Sequence, residues 1–338
     1  MIYIKIVVDA FGGDFAPPSV IKGSVIIKEQ FPNLDIVFSG NEKKLKQIAK
    51  NIDVNISDFE ILNAKDYISP EEDPSKILKE KSDSSMAIGL KALNEDYVDA
   101  FLTAGSTGAL AVGACFFNKK IKGIKRAALC TTVPAYGGKF LLVDAGANLQ
   151  CRENVLFEFA IMGEIYAKKI LKINNPRIGL ANVGAEPKKG TTAHQAAFEM
   201  LKNYERLNFI GNVEARYIPL GVCDVVVSDG LSGNMILKTM EGTAKFLVKT
   251  LKDIYCSNFK TKLAAAILTK QHEILKQKLD YKNYGGAIFL GMEKPIVKAH
   301  GNSNATTFKN AFLQTIKCVE QKISLEISSN ITNFKKQI

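Results

Sequence analysis

Five apolar, largely β-branched runs each lead into glycine and polar side chains. YIKIVV, from Tyr3, leads to Asp9, Gly12, Gly13 and Asp14, and VDAFLT, from Val98, leads to Gly105, Ser106, Thr107 and Gly108. KFLLVD, from Lys139, ends on Asp144 and continues into Gly146 and Asn148. RIGLAN, from Arg177, ends on Asn182 before Gly184, Glu186, Lys189 and Gly190, and VCDVVVS, from Val222, precedes Asp229, Gly230, Gly233 and Asn234. Glycine lets backbone N–H groups come close to an anion, and a following helix N-terminus adds donors and a favourable dipole. The chemistry implied is the binding of phosphate or a phosphorylated ligand, completed by Lys189 and the Ser and Thr hydroxyls. One such turn is what any βα connection requires; five in one chain point to a site. None spells G-x-G-x-x-G or G-x-x-x-x-G-K-[ST], which argues against a dinucleotide fingerprint and a Walker loop.

Asp9, Asp14, Asp144, Asp229 and Glu186 are suited to orienting lysines and backbone donors, since no spacing with His or Cys supplies a three-ligand metal set. No metal and no cofactor are expected. His194 falls in the first turn of a helix capped by Thr192 with Gln195, a surface position, and His272 sits in a lysine-rich stretch. His300 ends a short strand and precedes Gly301 and Ser303 at a polar helix start. It is the one histidine placed for catalysis, with a structural hydrogen bond as the alternative.

These turns need a scaffold. Short strands, including DIVFS from Asp35, alternate with helix-period segments, so an α/β fold follows, a mainly parallel sheet sandwiched by helices. Ligands of such sheets bind beyond the carboxyl ends of strands. Leu237, Met240, Ala244, Leu247, Leu251 and Ile254 recur at helical spacing and predict an amphipathic covering helix. With no linker or repeat, residues 1–328 read as a single catalytic domain of two interwoven lobes and 329–338 as a polar tail that frays.

The chain has 338 residues, 46% of them hydrophobic, enough for a large core. Its 45 Lys and Arg against 34 Asp and Glu are spread along the chain, which fits a solvated surface attractive to acidic partners better than a nucleic-acid face. The six cysteines lie far apart without a C-x-x-C pair, as expected of free thiols in a reducing compartment. Lys5 and Asp9 interrupt any signal-peptide core, and the uncharged stretch 100–117 contains TAGSTG, which reads as strand, turn and helix in place of a membrane span. A cytoplasmic protein is expected, peripheral at most on the inner face of the membrane. The run FKTKLAAAIL puts Phe259, Leu263, Ala264, Ile267 and Leu268 near one helical face beside Lys260, Lys262 and Lys270. That face suits an anionic membrane surface; the core or a second subunit are the alternatives.

Taken together, DAFGGD, TAGSTGAL, VDAGAN, GLANVGAEPKKG, FIGNVEAR, DVVVSDGLSGNMILKTMEG, YGGAIFLG and VKAHGNSNA resemble the motifs of the bacterial fatty acyl phosphate synthases, from Asp9 to about residue 308. Phe11, Ser106 and Ala215 stand where that family usually has Met, Asn and Gly. The resemblance implies that phosphate attacks the thioester of a long-chain acyl carrier protein, giving acyl phosphate for a membrane glycerol-3-phosphate acyltransferase. It also implies a homodimer with a fold like the phosphotransacetylases and isocitrate dehydrogenases. Phosphate dianion is itself a nucleophile and the leaving thiol has a pKa of about 8.5, so no acyl-enzyme is required. What is required is placement and oxyanion stabilisation; Lys189, Asn182, Asn234 and His300 are the groups expected to supply it, with Asp229 orienting them. Two other readings are a phosphotransacetylase of short acyl-coenzyme A and a non-enzymatic lysine-rich membrane or nucleic-acid binder.

Overall fold

The computed structural model describes residues 3–279 and 285–335. The segments read as strands form β1 (Ile4–Asp9), β2 (Leu34–Gly40), β4 (Ala100–Thr103), β6 (Gly138–Val143), β7 (Ile178–Asn182) and β9 (Val225–Val227). They are joined by β3 (Glu60–Asn63), β5 (Ala128–Ala135), β8 (Phe209–Glu214), β10 (Ala287–Leu290) and β11 (Ile296–Lys298). All belong to one sheet, ordered β3-β2-β1-β4-β11-β10-β5-β6-β9-β7-β8. Pairing is parallel except at β11–β10, β10–β5 and β5–β6.

The helices are α1 (Pro18–Gln30), α2 (Glu42–Asn51), α3 (Ser85–Asn94), α4 (Thr107–Phe117), α5 (Glu153–Lys169), α6 (Thr192–Lys202), α7 (Gly230–Cys256), α8 (Phe259–Ile267), α9 (Thr269–Leu279), α10 (Ala305–Glu320) and α11 (Ile323–Lys335). Alternation along the strands divides them between the two faces, because successive strand side chains point opposite ways. Ile6, Val8, Leu141, Val143 and Val297 join the cluster of α1, α2, α5, α6, α10 and α11. Val7, Phe101, Leu129 and Ile296 face α3 and α4, while Val133, Phe140, Leu142 and Val226 face α7.

α7 departs from the expected covering helix. Gly230, Gly233, Leu237 and Glu241 are its buried residues, whereas Phe246, Leu247, Val248 and Ile254 are exposed. Only its first turns lie on the sheet; beyond them it projects with α8 packed against it. The periodicity marks a face that wants a partner without saying which. The segment read as a fraying tail continues α11 to Lys335 and buries Ile331, while 336–338 lie outside the described residues. Among the described residues, no helix is long and apolar enough to cross a membrane.

Candidate active site

Strand direction decides which of the candidate residues meet. Three antiparallel pairings separate β11 from β6, so β6, β9 and β7 run opposite to β1, β4 and β11. The five glycine turns therefore do not converge on one rim. Those after β1 and β4, together with the segment after β11, occupy one end of the sheet, and those after β6, β9 and β7 the other.

At the first rim Asp9, Thr103 and Lys298 share one level of the sheet. Thr103 Oγ1 donates to Asp9 Oδ2 at 2.7 Å and accepts from Gly105 N at 2.8 Å. Asp14 N donates to the Gly301 carbonyl at 2.8 Å, which joins the segment carrying His300, Gly301 and Ser303 to the loop carrying Gly12 and Gly13. Ser106 caps α4 by accepting from Ala109 N, beside Thr107 and Gly108. Burial pushes the Asp9 carboxyl up from its ordinary value, against the opposing pull of Ser85, Thr103 and the amides of Phe11 and Gly12. Asp14 is exposed, His300 half-buried and Ser303 buried.

At the second rim Asp144 is fully buried. Its carboxylate accepts from Leu129 N, Gly146 N and Ala147 N at 3.0–3.1 Å, from Asn148 N at 2.7 Å and from Asn148 Nδ2 at 2.8 Å. Asn148 also donates to the Ala127 carbonyl at 2.7 Å. Both side chains, expected to bind substrate, are committed to bracing the β6 turn against the start of β5. Asp229 caps α7 by accepting from Ser232 N at 2.8 Å, Gly230 N donates to the Asn148 carbonyl at 2.7 Å, and Asn234 is exposed. A Cβ on Gly233 would stand 1.9 Å from the Asp144 carbonyl oxygen. That glycine is dictated by helix-on-strand packing, so its expected place at the reacting groups has a simpler cause.

The turn after β7 is set apart again. Ala181 belongs to the α7-side cluster and Leu180 to the opposite one, so Asn182 points to the face away from α4 and α7. Asn182 Nδ2 donates to the Lys189 carbonyl at 3.1 Å and its Oδ1 accepts from Val183 N, so the amide closes its own loop. Gly190 has φ +84° with Asn182 packed where a Cβ would go. Glu186 and Lys189 are exposed, and Gly184 is buried. The helix that follows is capped by Thr191, one residue before the expected Thr192; its hydroxyl lies 2.8 Å from His194 Nδ1. His272 packs against Tyr255, linking α9 to α7.

What faces one common space is set by register. Asp9, Thr103, Lys298, Asp144 and Ser228 share strand parity with residues that contact α3, α4 or α7. On that face α4 descends from the first rim and α7 rises from the second, with β10 and β5 between them and buried Thr131 at the gap between the two apolar clusters. The stretch of this face over β10 and β5, between α4 and α7, is where groups from the two rims come nearest to one another. Sequence reasoning passed over Lys298. The signal was available: it stands two residues after Ile296 on a strand, and hence on the face that Ile296 buries. Tyr284 of the YGGAIFLG motif lies outside the described residues.

Comparison with known proteins agrees with this architecture. A family model described as fatty acid synthesis protein matches residues 4–326. Proteins named phosphate acyltransferase from Caldanaerobacter subterraneus and Lysinibacillus sphaericus are each 44% identical, over 97% of this chain and 97% of the relative for the first, and 98% and 99% for the second. Among solved structures, a phosphotransacetylase from Streptococcus pyogenes shares the fold with a TM-score of 0.62 at 16% identity, each chain covered to 94%. A EutD phosphotransacetylase from Staphylococcus aureus gives 0.59 at 14%, with 94% of each chain covered. The chain is an acyltransferase, not a non-enzymatic binder, and it belongs to the fatty acid synthesis protein family, whose members include these phosphate acyltransferases.

Proposed function

We propose that the protein transfers a long acyl chain from acyl carrier protein to inorganic phosphate, supplying acyl phosphate for phospholipid synthesis. The observation that carries this is 44% identity, over nearly the whole chain, with proteins named phosphate acyltransferase. Phosphate attacks the thioester carbon on the sheet face between α4 and α7, the C–S bond breaks, and the carrier leaves as its thiol. Burial pushes the Cys151, Cys223 and Cys318 thiols up to about 12, which makes these three poor nucleophiles for an acyl-enzyme. His300 after β11, Asp229 at the N-cap of α7 and Asn234 near the start of that helix are the groups we assign to the oxyanion and the leaving group. Phosphate-dependent thiol release from palmitoyl-carrier and from acetyl-coenzyme A tests the substrate. A higher kcat/KM for palmitoyl-carrier is expected; the reverse preference would make the protein a phosphotransacetylase.

We further propose that α8 meets the anionic inner surface of the membrane and that the protein works as a homodimer. Phe259, Leu263 and Ile267 are 81%, 58% and 76% exposed, and Leu268 is exposed as well. The face is thus not covered by the chain's own core. Exposed Lys260, Lys262 and Lys270 suit lipid phosphates. The double variant Leu263→Glu with Ile267→Glu is expected to stay folded and active but to stop sedimenting with anionic vesicles. Unchanged vesicle binding would refute the membrane role.

A further inference from the structure

Lys298 closes β11, a strand flanked by β4 and β10, and is 9% exposed. Its Nζ donates to the Ala299 carbonyl at 2.9 Å and lies 3.5 Å from the Ala104 carbonyl. Among the described residues it forms no ion pair. The charged groups facing it are Asp14 from the β1–α1 loop, Lys238 from α7 and Asp9 from β1. Asp9 is committed to Thr103 and to backbone amides, Asp14 is exposed and not within ion-pair distance, and Lys238 pairs with Glu241 at 2.9 Å. His300 follows two residues later in the same segment. A buried ammonium with two neutral carbonyls and one N–H to spare is an expensive arrangement for a ligand-free fold. It makes sense where an anion completes it, beside the N-terminal turn of α4, whose dipole favours negative charge.

We propose that Lys298 is the cation that receives the phosphate dianion, in a site at the ends of β1, β4 and β11 under the first turn of α4. This rests on the phosphate acyltransferase reading and gives that site its anion-binding residue. The site lies on the opposite rim from Lys189, and the Lys238 ammonium on α7 acts on it, so phosphate relieves the repulsion between the two ammonium groups.

Burial lowers the Lys298 amine to about 8 in the free protein. A dianion beside it favours the ammonium and raises that value. The sign follows: at pH 9, where the free amine is largely neutral and phosphate is still a dianion, phosphate binding takes up a proton. Phosphate affinity should therefore fall as pH rises through about 8.

The test is phosphate titration of the whole protein by calorimetry at pH 9, in two buffers of different ionisation enthalpy. Most of one proton is expected to be taken up per phosphate by the parent. Lys298→Arg, whose guanidinium stays charged, should bind phosphate without that uptake, and Lys298→Met should bind it at least about thirtyfold more weakly. Unchanged affinity in Lys298→Met, or no uptake by the parent, would overturn the proposal; the second result needs no variant to fold. A parent that binds phosphate with uptake yet forms no acyl phosphate would instead count against the acyltransferase reading alone.

Discussion

Two glycines of α7 make opposite demands on the same helix. At Gly233 a Cβ would meet the Asp144 carbonyl oxygen at 1.9 Å, Ser228 Oγ at 2.6 Å and the Asp144 carbonyl carbon at 3.0 Å. Two of these are backbone atoms of a turn braced by five N–H contacts to the Asp144 carboxylate, so the helix must move by more than 1 Å instead. At Gly242, the residue after the last buried one, nothing lies within 4 Å. Glycine to alanine in a helix interior gains up to about 1 kcal/mol of propensity wherever the methyl fits. Gly242→Ala should thus stabilise by about 0.5–1 kcal/mol. Gly233→Ala should lose that gain to overpacking of about 1–3 kcal/mol or more and to the parting of Leu237 from Leu142 and Val226. Gly233→Val is expected to be worse still. Urea unfolding followed by circular dichroism measures both; Gly233→Ala as stable as the parent would refute the packing explanation and return that glycine to a direct role at the reacting groups.

The Lys298 amine, at about 8 against an ordinary 10.5, is lowered on folding. Below pH 8 it is charged in both states; between about 8 and 10.5 the unfolded chain holds the proton that the native one has released, so its contribution to stability rises with pH by up to about 3 kcal/mol. Comparing the pH dependence of unfolding in the parent and Lys298→Met isolates that rise, and identical slopes would contradict it. Asp144→Asn puts an NH2 group against amides that need an acceptor and should cost at least about 3 kcal/mol in denaturant unfolding; full stability would mean that the carboxylate faces substrate. Lys189→Ala should leave the KM for phosphate unchanged in steady-state kinetics, because its loop lies on the other rim, and a large increase would restore Lys189 to the phosphate site.

The sheet and its helices were legible because alternation and helical period are local. IKIVVD, LDIVFSG and IGLAN carry apolar residues on both strand faces, as parallel strands covered on both faces do. Strand direction is not local. Nothing in KFLLVD says that it pairs antiparallel with β5, and the three successive antiparallel pairings from β11 to β6 send Asp144, Asn182 and Asp229 to the rim away from Asp9. Glycine was legible as a constraint but not as its cause: Gly233 yields to a carbonyl and Gly190 to an asparagine side chain. Lys298 escaped notice because a lysine before a polar turn reads as solvated; its burial depends on β10, whose antiparallel pairing brings a second neighbour to β11. The apolar stripe from Leu237 to Ile254 was correct as a stripe, yet the single chain covers only its beginning.

The central claim is that phosphate itself takes the acyl group. Incubating the purified protein with palmitoyl-carrier and radiolabelled phosphate, while counting released carrier thiol, tests it most directly. One labelled acyl phosphate per thiol is expected, with no thiol release when phosphate is left out. Thiol release that proceeds without phosphate, or that leaves the label in inorganic phosphate, would contradict it.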